Sequence, residues 1–136
     1  MRTSATKTAI GALGLLARSY EDGIRRVPAK SMAESLDLPQ PFLSKVLTTL
    51  VQAGFVDSTR GPGGGFALQR HPSEITLADV VMQFERESEF TECPVGGGQC
   101  GDRTPCPLHE HFEEARQALD RALQTTTFAA FLKHDG

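Results

Sequence analysis

Hydrophobic residues recur at helical spacing over most of the chain, and this pattern predicts a mainly α protein. The first such stretch predicts an amphipathic helix that ends before Glu21-Asp22-Gly23, where charged residues and a glycine interrupt the pattern. The apolar positions of this first helix are Ala9, Ile10, Ala12, Leu13, Leu16, Ala17 and Tyr20.

A pair of helices separated by a short turn is predicted next. The first of them extends over residues 28 to about 36 and starts at a proline, and Asp37-Leu38-Pro39 follows as a turn. Pro41, at a first helical position, then begins a second helix over residues 42 to about 53, with Gly54 as its C-cap. Two helices joined by a three-residue turn are typical of a helix-turn-helix, whose second helix presents its first turns to the major groove of DNA.

The second helix of this pair has one apolar and one polar face. Its predicted buried stripe consists of Phe42, Leu43, Val46, Leu47 and Leu50. The residues left facing outward are Gln40, Ser44, Lys45, Thr48 and Thr49. Side chains of these types can read base edges and hold phosphates, and the alternative is an ordinary solvated helix face.

A β-hairpin is predicted directly after the helix pair. Residues 55–59 and 66–69 have the composition of two short strands, and the Gly-rich segment 60–65 between them is a turn. A helix-turn-helix followed by a hairpin is a winged helix, and Arg60 at the base of the wing could enter a narrow minor groove. The glycine run lacks the ending of a phosphate-binding loop and opens no helix. The predicted DNA-binding residues are therefore Gln40, Pro41, Ser44, Lys45, Thr48, Arg60 and Gly61.

Two more helices are predicted in the second part of the chain. Thr76 caps one of them, over residues 77–84. A longer helix over about residues 107–124 has apolar residues at the spacing of a coiled-coil seam: Leu108, Phe112, Ala115, Leu119 and Ala122. We expect it to pair with its own copy in a twofold dimer, with packing onto the first helix as the alternative or in addition. Thr127 then caps a short terminal turn with Phe128, Phe131 and Leu132.

The charge distribution divides the 136-residue chain in the same way. Residues 1–70 carry nine Lys/Arg against five Asp/Glu, a net charge of +4, whereas residues 71–136 carry five against twelve, a net charge of −7. A basic front half suits contact with a polyanion. We therefore assign residues 1–72 to a winged helix-turn-helix domain that binds DNA. Residues 73–136 are assigned to a linker helix, a cysteine loop at 93–106 and the dimerisation helix with its terminal turn.

The start of the chain imitates a signal peptide, because Arg2 and Lys7 precede an apolar stretch. Arg18 and Tyr20 follow where small cleavage-site residues should be, so an amphipathic helix explains the pattern better. No apolar run is long enough to cross a membrane. The chain is accordingly predicted to be cytoplasmic, with no membrane partner.

The three cysteines of the chain, Cys93, Cys100 and Cys106, fall within fourteen residues in a Gly-rich loop, and His109 follows them. Thiolates and imidazole are the donors that iron–sulfur clusters and zinc select. The odd number of cysteines argues against a disulfide, and the polar, Gly-rich loop argues against inert buried thiols. The spacing alone does not decide between an iron–sulfur cluster and structural zinc, although it lacks the tight Cys-x2-Cys pair that is usual for zinc.

Five motifs extend over nearly the whole chain: Met32-Ala33-Glu34, Phe42-Leu43-Ser44-Lys45-Val46-Leu47 with Leu50, Ala53-Gly54-Phe55-Val56, Arg60-Gly61-Pro62-Gly63-Gly64-Gly65-Phe66, and the three-cysteine loop before a long helix. Together they resemble the Rrf-type winged-helix transcription regulators, the IscR- and NsrR-like family. The resemblance implies a homodimer that binds a palindromic operator in double-stranded DNA. It also implies a 2Fe-2S or 4Fe-4S cluster held by three cysteines and one other ligand.

The family differs internally in its fourth ligand. IscR-like members have a histidine three residues after the last cysteine, which is His109 here, whereas others use an acidic residue near the start of the first helix, where this chain has Lys7 and Thr8. Two features depart from the family pattern. The first two cysteines are separated by six residues, whereas five are commoner in the family, and this difference affects the expected cluster type. Ser44 stands where IscR-like members have an acidic residue that reads bases, and this difference affects the expected operator sequence.

The sequence therefore predicts a dimeric DNA-binding transcription regulator that acts as a repressor. Its operator affinity is predicted to respond to an iron–sulfur cluster, 2Fe-2S rather than 4Fe-4S, that senses redox state, nitric oxide or iron–sulfur status. The alternative is the same winged helix with structural zinc or a thiol-redox switch at the same cysteines. An enzyme is not predicted, because no nucleophile–base pair or carboxylate dyad is readable.

Overall fold

The first helix, α1, forms the centre of the core. The structure, a computed structural model, describes residues 3–21, 26–85 and 107–133, and α1 spans Ser4–Glu21 within it. The stripe that faces the core is at most 1% exposed and consists of Ala9, Ala12, Leu13, Leu16 and Ala17. The prediction of this helix is confirmed, although the helix includes Glu21, one residue beyond the predicted end. The last of its predicted apolar positions, Tyr20, is not part of the buried stripe. Tyr20 is 36% exposed and lies edge-on to His71, with ring centroids 5.4 Å apart.

The predicted pair of helices is confirmed as α2, Ala29–Leu36, and α3, Gln40–Gln52. Asp37 makes the tight turn between them in the left-handed region at φ 54°, and its N–H donates back to the end of α2. Pro39 is the N-cap of α3, so Pro41 is the second helical residue and not the first. The stripe that anchors α3 in the core is Leu43, Val46, Leu47 and Leu50, while Phe42 is only half-buried.

The wing is confirmed as two antiparallel strands, β1 at Val56–Thr59 and β2 at Gly65–Leu68. Val27 adds a one-residue bridge on the other side of β2, since it and Phe66 exchange two backbone hydrogen bonds of 2.9 Å each. Gly65 has φ 142°, and a Cβ there would lie 2.7 Å from the Val27 carbonyl, so this position requires glycine. The hairpin is thereby joined to the segment that enters α2.

The chain leaves the wing through a short 3₁₀ turn at Pro72–Glu74 and enters α4, Leu77–Phe84, whose bounds are those predicted. Thr76 and Asp79 form a capping box at its start. Val80 and Val81 are the buried residues of α4. This helix therefore packs on the core with one face and leaves the other for the last helix.

The last helix, α5, spans His109–Thr125, and a 3₁₀ turn at Phe128–Lys133 ends the described chain. α5 packs against α4, whereas the terminal turn packs against α1. Two backbone hydrogen bonds fix the junction, from Leu77 N–H to the Thr126 carbonyl at 2.9 Å and from Phe128 N–H to the Ile75 carbonyl at 3.0 Å. The fold is thus mainly helical with a small β-hairpin, as predicted. Among the described helices, none combines the length and apolar character needed to cross a membrane.

Candidate nucleic-acid interface and sensor region

The start of α3 presents a polar surface to solvent. Gln40, Pro41, Lys45 and Thr48 are exposed, whereas Ser44 is only half-exposed. The Thr48 hydroxyl donates to the Ser44 carbonyl at 2.9 Å, so it can accept but not donate a hydrogen bond in this rotamer. Gln40 and Lys45 therefore carry the exposed side-chain donors of this face.

The N-terminus of α3 is also electropositive. Pro39 at the N-cap position has no side-chain acceptor, and the first turn of α3 contains no acidic residue. Unsatisfied N–H groups and the helix dipole favour an anion at such a terminus, and a DNA phosphate is one. The attraction of these backbone groups for an anion adds to the hydrogen-bond donors of the Gln40 and Lys45 side chains.

A groove of about 630 Å³ separates α3 from the wing. Thr48 and Gln52 line it on the helix side, and Ser58, Arg60 and Gly61 line it on the wing side. Arg60 and Gly61 are exposed in the turn between the two strands, so Arg60 lies at the tip of the wing and its predicted position at the base was wrong. The structure therefore brings the wing residues and Thr48, predicted from separate segments, to the two walls of one groove.

One pair of charged residues at the wing was not predicted from the sequence. Arg26 Nη2 lies 2.5 Å from Asp57 Oδ2, although 31 positions separate the two residues. The hydrogen bond from Arg26 holds the pKa of the Asp57 carboxyl below its ordinary value. No local sequence pattern could reveal this pair, because it depends on the bridge between Val27 and Phe66.

The predicted metal ligands Cys93, Cys100 and Cys106 lie outside the described residues. The fourth, His109, is the first residue of α5 and is half-buried. Within the described ranges, no three His, Cys, Asp or Glu side chains are grouped closely enough to hold a metal ion. Because those ranges exclude all three cysteines, the ligand set stays a prediction.

The predicted seam of α5 is mostly exposed in the single chain. Leu108 precedes the helix as its N-cap and is 43% exposed, Leu119 is 39% exposed, and Ala115 and Ala122 are also exposed. Phe112 is half-buried. Their role in dimerisation stays a prediction.

The residue of α5 that packs most completely inside the chain is one that the seam pattern missed. Leu123 is 5% exposed and lies against α4. Next to it, a groove of about 460 Å³ runs between α4 and α5, and Met82 on its wall is 54% exposed. α5 therefore has an inner apolar edge at Leu123 in addition to the seam.

The chain is similar in sequence to known transcription regulators. The family described as "Rrf2: Iron-dependent Transcriptional regulator" matches residues 2–134. A putative HTH-type transcriptional regulator of Aquifex aeolicus is 30% identical over 127 residues, which cover 92% of this chain and 86% of that protein. The HTH-type transcriptional repressor NsrR of Streptomyces coelicolor is 30% identical over 125 residues, which cover 92% and 83%.

Solved structures share the fold. CymR, the global cysteine regulator of B. subtilis, matches with a TM-score of 0.79 at 24% identity, over 99% of this chain and 98% of that chain. IscR of T. potens matches with a TM-score of 0.75 at 24% identity, over 98% and 86%. These similarities confirm the predicted winged-helix fold.

Proposed function

The chain belongs to the Rrf2 family of transcription regulators, and we propose that it represses transcription by binding a palindromic operator as a homodimer under the control of an iron–sulfur cluster. Its relatives are transcription regulators and not enzymes, as predicted. The observation that carries the DNA-binding proposal is one continuous surface. On it, Thr48 of α3 and Arg60 of the wing line the two walls of a single groove, and the exposed residues at the start of α3 precede Thr48 by one to two turns of the same helix.

Each part of this surface has a chemical role in the proposal. Gln40 can make paired hydrogen bonds to an adenine in the major groove, and Lys45 can neutralise a phosphate. Arg60 at the wing tip suits a narrow minor groove, whose negative potential attracts guanidinium groups. The groove between α3 and the wing leaves room for the sugar–phosphate backbone that separates the two DNA grooves. Buried Leu43 and Leu47 hold α3 rigidly to the core behind this surface.

A homodimer is proposed because α5 exposes apolar side chains along one edge. Leu108 and Leu119 are long hydrophobic residues that lie more than a third exposed in the single chain. A second copy related by a twofold axis would cover them and would present two copies of α3 to the two halves of a palindrome. A partner helix at the seam formed by residues 108–122 is the simplest arrangement.

The proposed cluster ligands are Cys93, Cys100, Cys106 and His109. Three thiols and one imidazole are a donor set that fits an iron–sulfur centre, with a histidine ligand as in the IscR-like pattern. When bound, a cluster supplies redox change and reactivity toward nitric oxide. His109 lies at the very start of α5, so the state of this ligand acts directly on the end of the helix that carries the proposed dimer seam.

Control of DNA binding requires only modest energetic coupling. A tenfold change in operator affinity corresponds to about 1.4 kcal/mol. We expect the loaded dimer to bind more tightly than the stripped one, because a ligand bond at His109 holds the start of α5 and with it the distance between the two copies of α3. Structural zinc or a thiol switch at the same cysteines would keep the DNA-binding surface and change only the signal.

The cofactor is tested on protein purified without oxygen. Iron, sulfide and zinc contents are measured for the wild type, Cys100→Ala, His109→Ala and His111→Ala. We expect iron and sulfide in the wild type, neither in Cys100→Ala, and a weakened or spectrally altered centre in His109→Ala. His111 is exposed two residues further along the same helix, so His111→Ala serves as the matched control with wild-type contents. Colourless protein with one zinc ion would assign the alternative.

The sensor role is tested separately, with operators selected from a pool of random DNA. Operator affinity is measured at one salt concentration for loaded, nitric-oxide-treated and stripped protein of equal dimer content. We expect the loaded form to bind most tightly. Three equal affinities would mean that the centre is structural, while DNA binding itself would stand.

A further inference from the structure

The Arg26 side chain contacts the outer face of the wing root. Arg26 binds Asp57 through two nitrogen atoms, since Nη2 lies 2.5 Å from Oδ2 and Nη1 donates to the Asp57 carbonyl at 3.4 Å. One contact therefore engages the carboxylate and the other engages the backbone of β1. Together they restrain the strand itself as well as its side chain.

The register of the sheet explains how a residue ahead of α2 reaches β1. Asp57 pairs with Ala67 across the hairpin, and Val27 pairs with Phe66 on the other side of β2. Arg26 is thereby level with Ala67 and must cross β2 there, where the side chain is only a methyl group. The opposite face of the root is closed by the buried Val56 and Leu68, which are 0% and 7% exposed. Arg26 supplies the matching restraint outside the core.

This restraint lies close to the DNA-binding end of the hairpin. Arg60 follows Asp57 by three residues, and the wing consists of two four-residue strands with a Gly-rich turn. A two-stranded hairpin of this size is marginally stable alone, so its orientation depends on what holds its root. We propose that the Arg26–Asp57 pair is a positioning device that fixes the wing relative to α3 and so presents Arg60 to operator DNA. The inference rests on the DNA-binding function proposed above.

The change in DNA affinity caused by Asp57→Asn distinguishes a positioning role of the pair from a purely electrostatic one, because the two roles predict opposite signs. Asp57 is an exposed carboxylate near a surface that meets a polyanion, so its charge alone weakens DNA binding. If electrostatics alone mattered, Asp57→Asn would bind DNA more tightly. If the pair positions the wing, Asp57→Asn loses the charge-assisted hydrogen bond to Arg26 and binds the operator more weakly, by about two- to fivefold, the range expected for an exposed ion pair.

The experiment compares Asp57→Asn with a matched charge control and a reversed pair. Glu34→Gln removes an exposed carboxylate from α2 and should bind no more weakly than the wild type. Operator affinity is measured at about 0.3 M salt, where long-range charge effects are screened. The variant Arg26→Asp/Asp57→Arg keeps the net charge and should bind more tightly than either of its single variants. The proposal would be overturned if Asp57→Asn bound the operator more tightly than the wild type. It would also be overturned if the double variant bound the operator no more tightly than its two single variants.

A second readout needs no DNA. In the free protein, the Phe66 and Val27 N–H groups form the two hydrogen bonds that join the wing to the segment before α2. Asp57→Asn should speed their hydrogen exchange several-fold and leave exchange at Leu47, in the core of α3, unchanged. Unchanged exchange at Phe66 and Val27 would count against the device. If the wild type failed to bind any selected operator, the DNA-binding proposal would fail, while this readout would still decide whether the pair restrains the wing.

Discussion

Two glycines of α1 should respond to alanine substitution with opposite signs. A methyl group at position 14 would lie 2.4 to 2.8 Å from ring atoms of Phe131, whereas one at position 11 would lie 3.4 Å from Leu36 Cδ2, an ordinary contact. Alanine gains about 1 kcal/mol over glycine in a helix interior. Overpacking costs about 1–3 kcal/mol. Gly11→Ala should therefore stabilise the protein by up to about 1 kcal/mol, and Gly14→Ala should destabilise it by up to about 2 kcal/mol.

Removing the Phe131 ring should reverse the effect at position 14. In a Phe131→Ala background the three ring atoms nearest to the added methyl are gone, so we expect the helix-propensity gain of about 1 kcal/mol to dominate. The coupling between the two sites, about 1–3 kcal/mol, is the overpacking cost itself. The Phe131 ring also contacts Arg18, whose Cζ lies 5.6 Å from the ring centroid, and it stacks on Phe128. Phe131→Ala therefore lowers the free energy of unfolding by itself, and a double-mutant cycle subtracts this effect.

The assay is urea unfolding followed by far-ultraviolet circular dichroism, because the chain has no tryptophan and one tyrosine. The four proteins of the cycle and Gly11→Ala are measured at equal concentration, since a dimer would make stability depend on concentration. The reasoning is refuted if Gly14→Ala stabilises the wild type as much as Gly11→Ala does. It is also refuted if Gly14→Ala destabilises the Phe131→Ala background to the same extent as the wild type.

Three further sets of substitutions test the interface, a helix cap and the seam. Gln40→Ala should lower the binding free energy by about 1–3 kcal/mol at one operator position and should change binding to random DNA little. Lys45→Ala should weaken binding to operator and random DNA alike and should reduce the slope of log affinity against log salt concentration by about one. Binding titrations at several salt concentrations distinguish the two outcomes. Thr76→Ala removes the acceptor that caps α4 and should lower the free energy of unfolding by about 1 kcal/mol, measured by urea unfolding. Leu119→Asp should shift the sedimentation of the protein toward the monomer, while Gln117→Asp, at an exposed position of α5 outside the predicted seam, should not. Equal behaviour of the two variants would remove Leu119 from the seam.

Elements with a local signature were predictable from the sequence. The helices follow from the 3.6-residue period, and α4 was predicted to the residue because Thr76 marks its start. The wing follows from its Gly-rich turn. The limits of α3 were less clear because two prolines, Pro39 and Pro41, suit a helix start, and the N-cap role fell to the first of them.

Features that depend on long-range register were not predictable. The Arg26–Asp57 pair exists because Val27 happens to bridge Phe66, which no local pattern encodes. Tyr20 fits the apolar stripe of α1 by spacing, but it lies beyond the packed core and meets His71 at the surface instead. A period of apolar residues shows which residues share a face of a helix, but it does not show where along the helix its packing partner ends.

The apolar residues of α5 lie on two edges of the helix, one packed inside the chain and one exposed as the predicted seam. Leu123 packs inside the chain, and the junction at Thr126–Phe128 is tied by hydrogen bonds to Ile75 and Leu77. This C-terminal end of α5 is therefore fixed to the segment that follows the wing. A helix of 17 residues is about 25 Å long, so a tilt of about 5° at the fixed end moves the other end by about 2 Å. On the proposed mechanism the ligand His109 lies at that moving end, and a small change in ligation there becomes a shift of the dimer seam large enough to alter the spacing of two recognition helices.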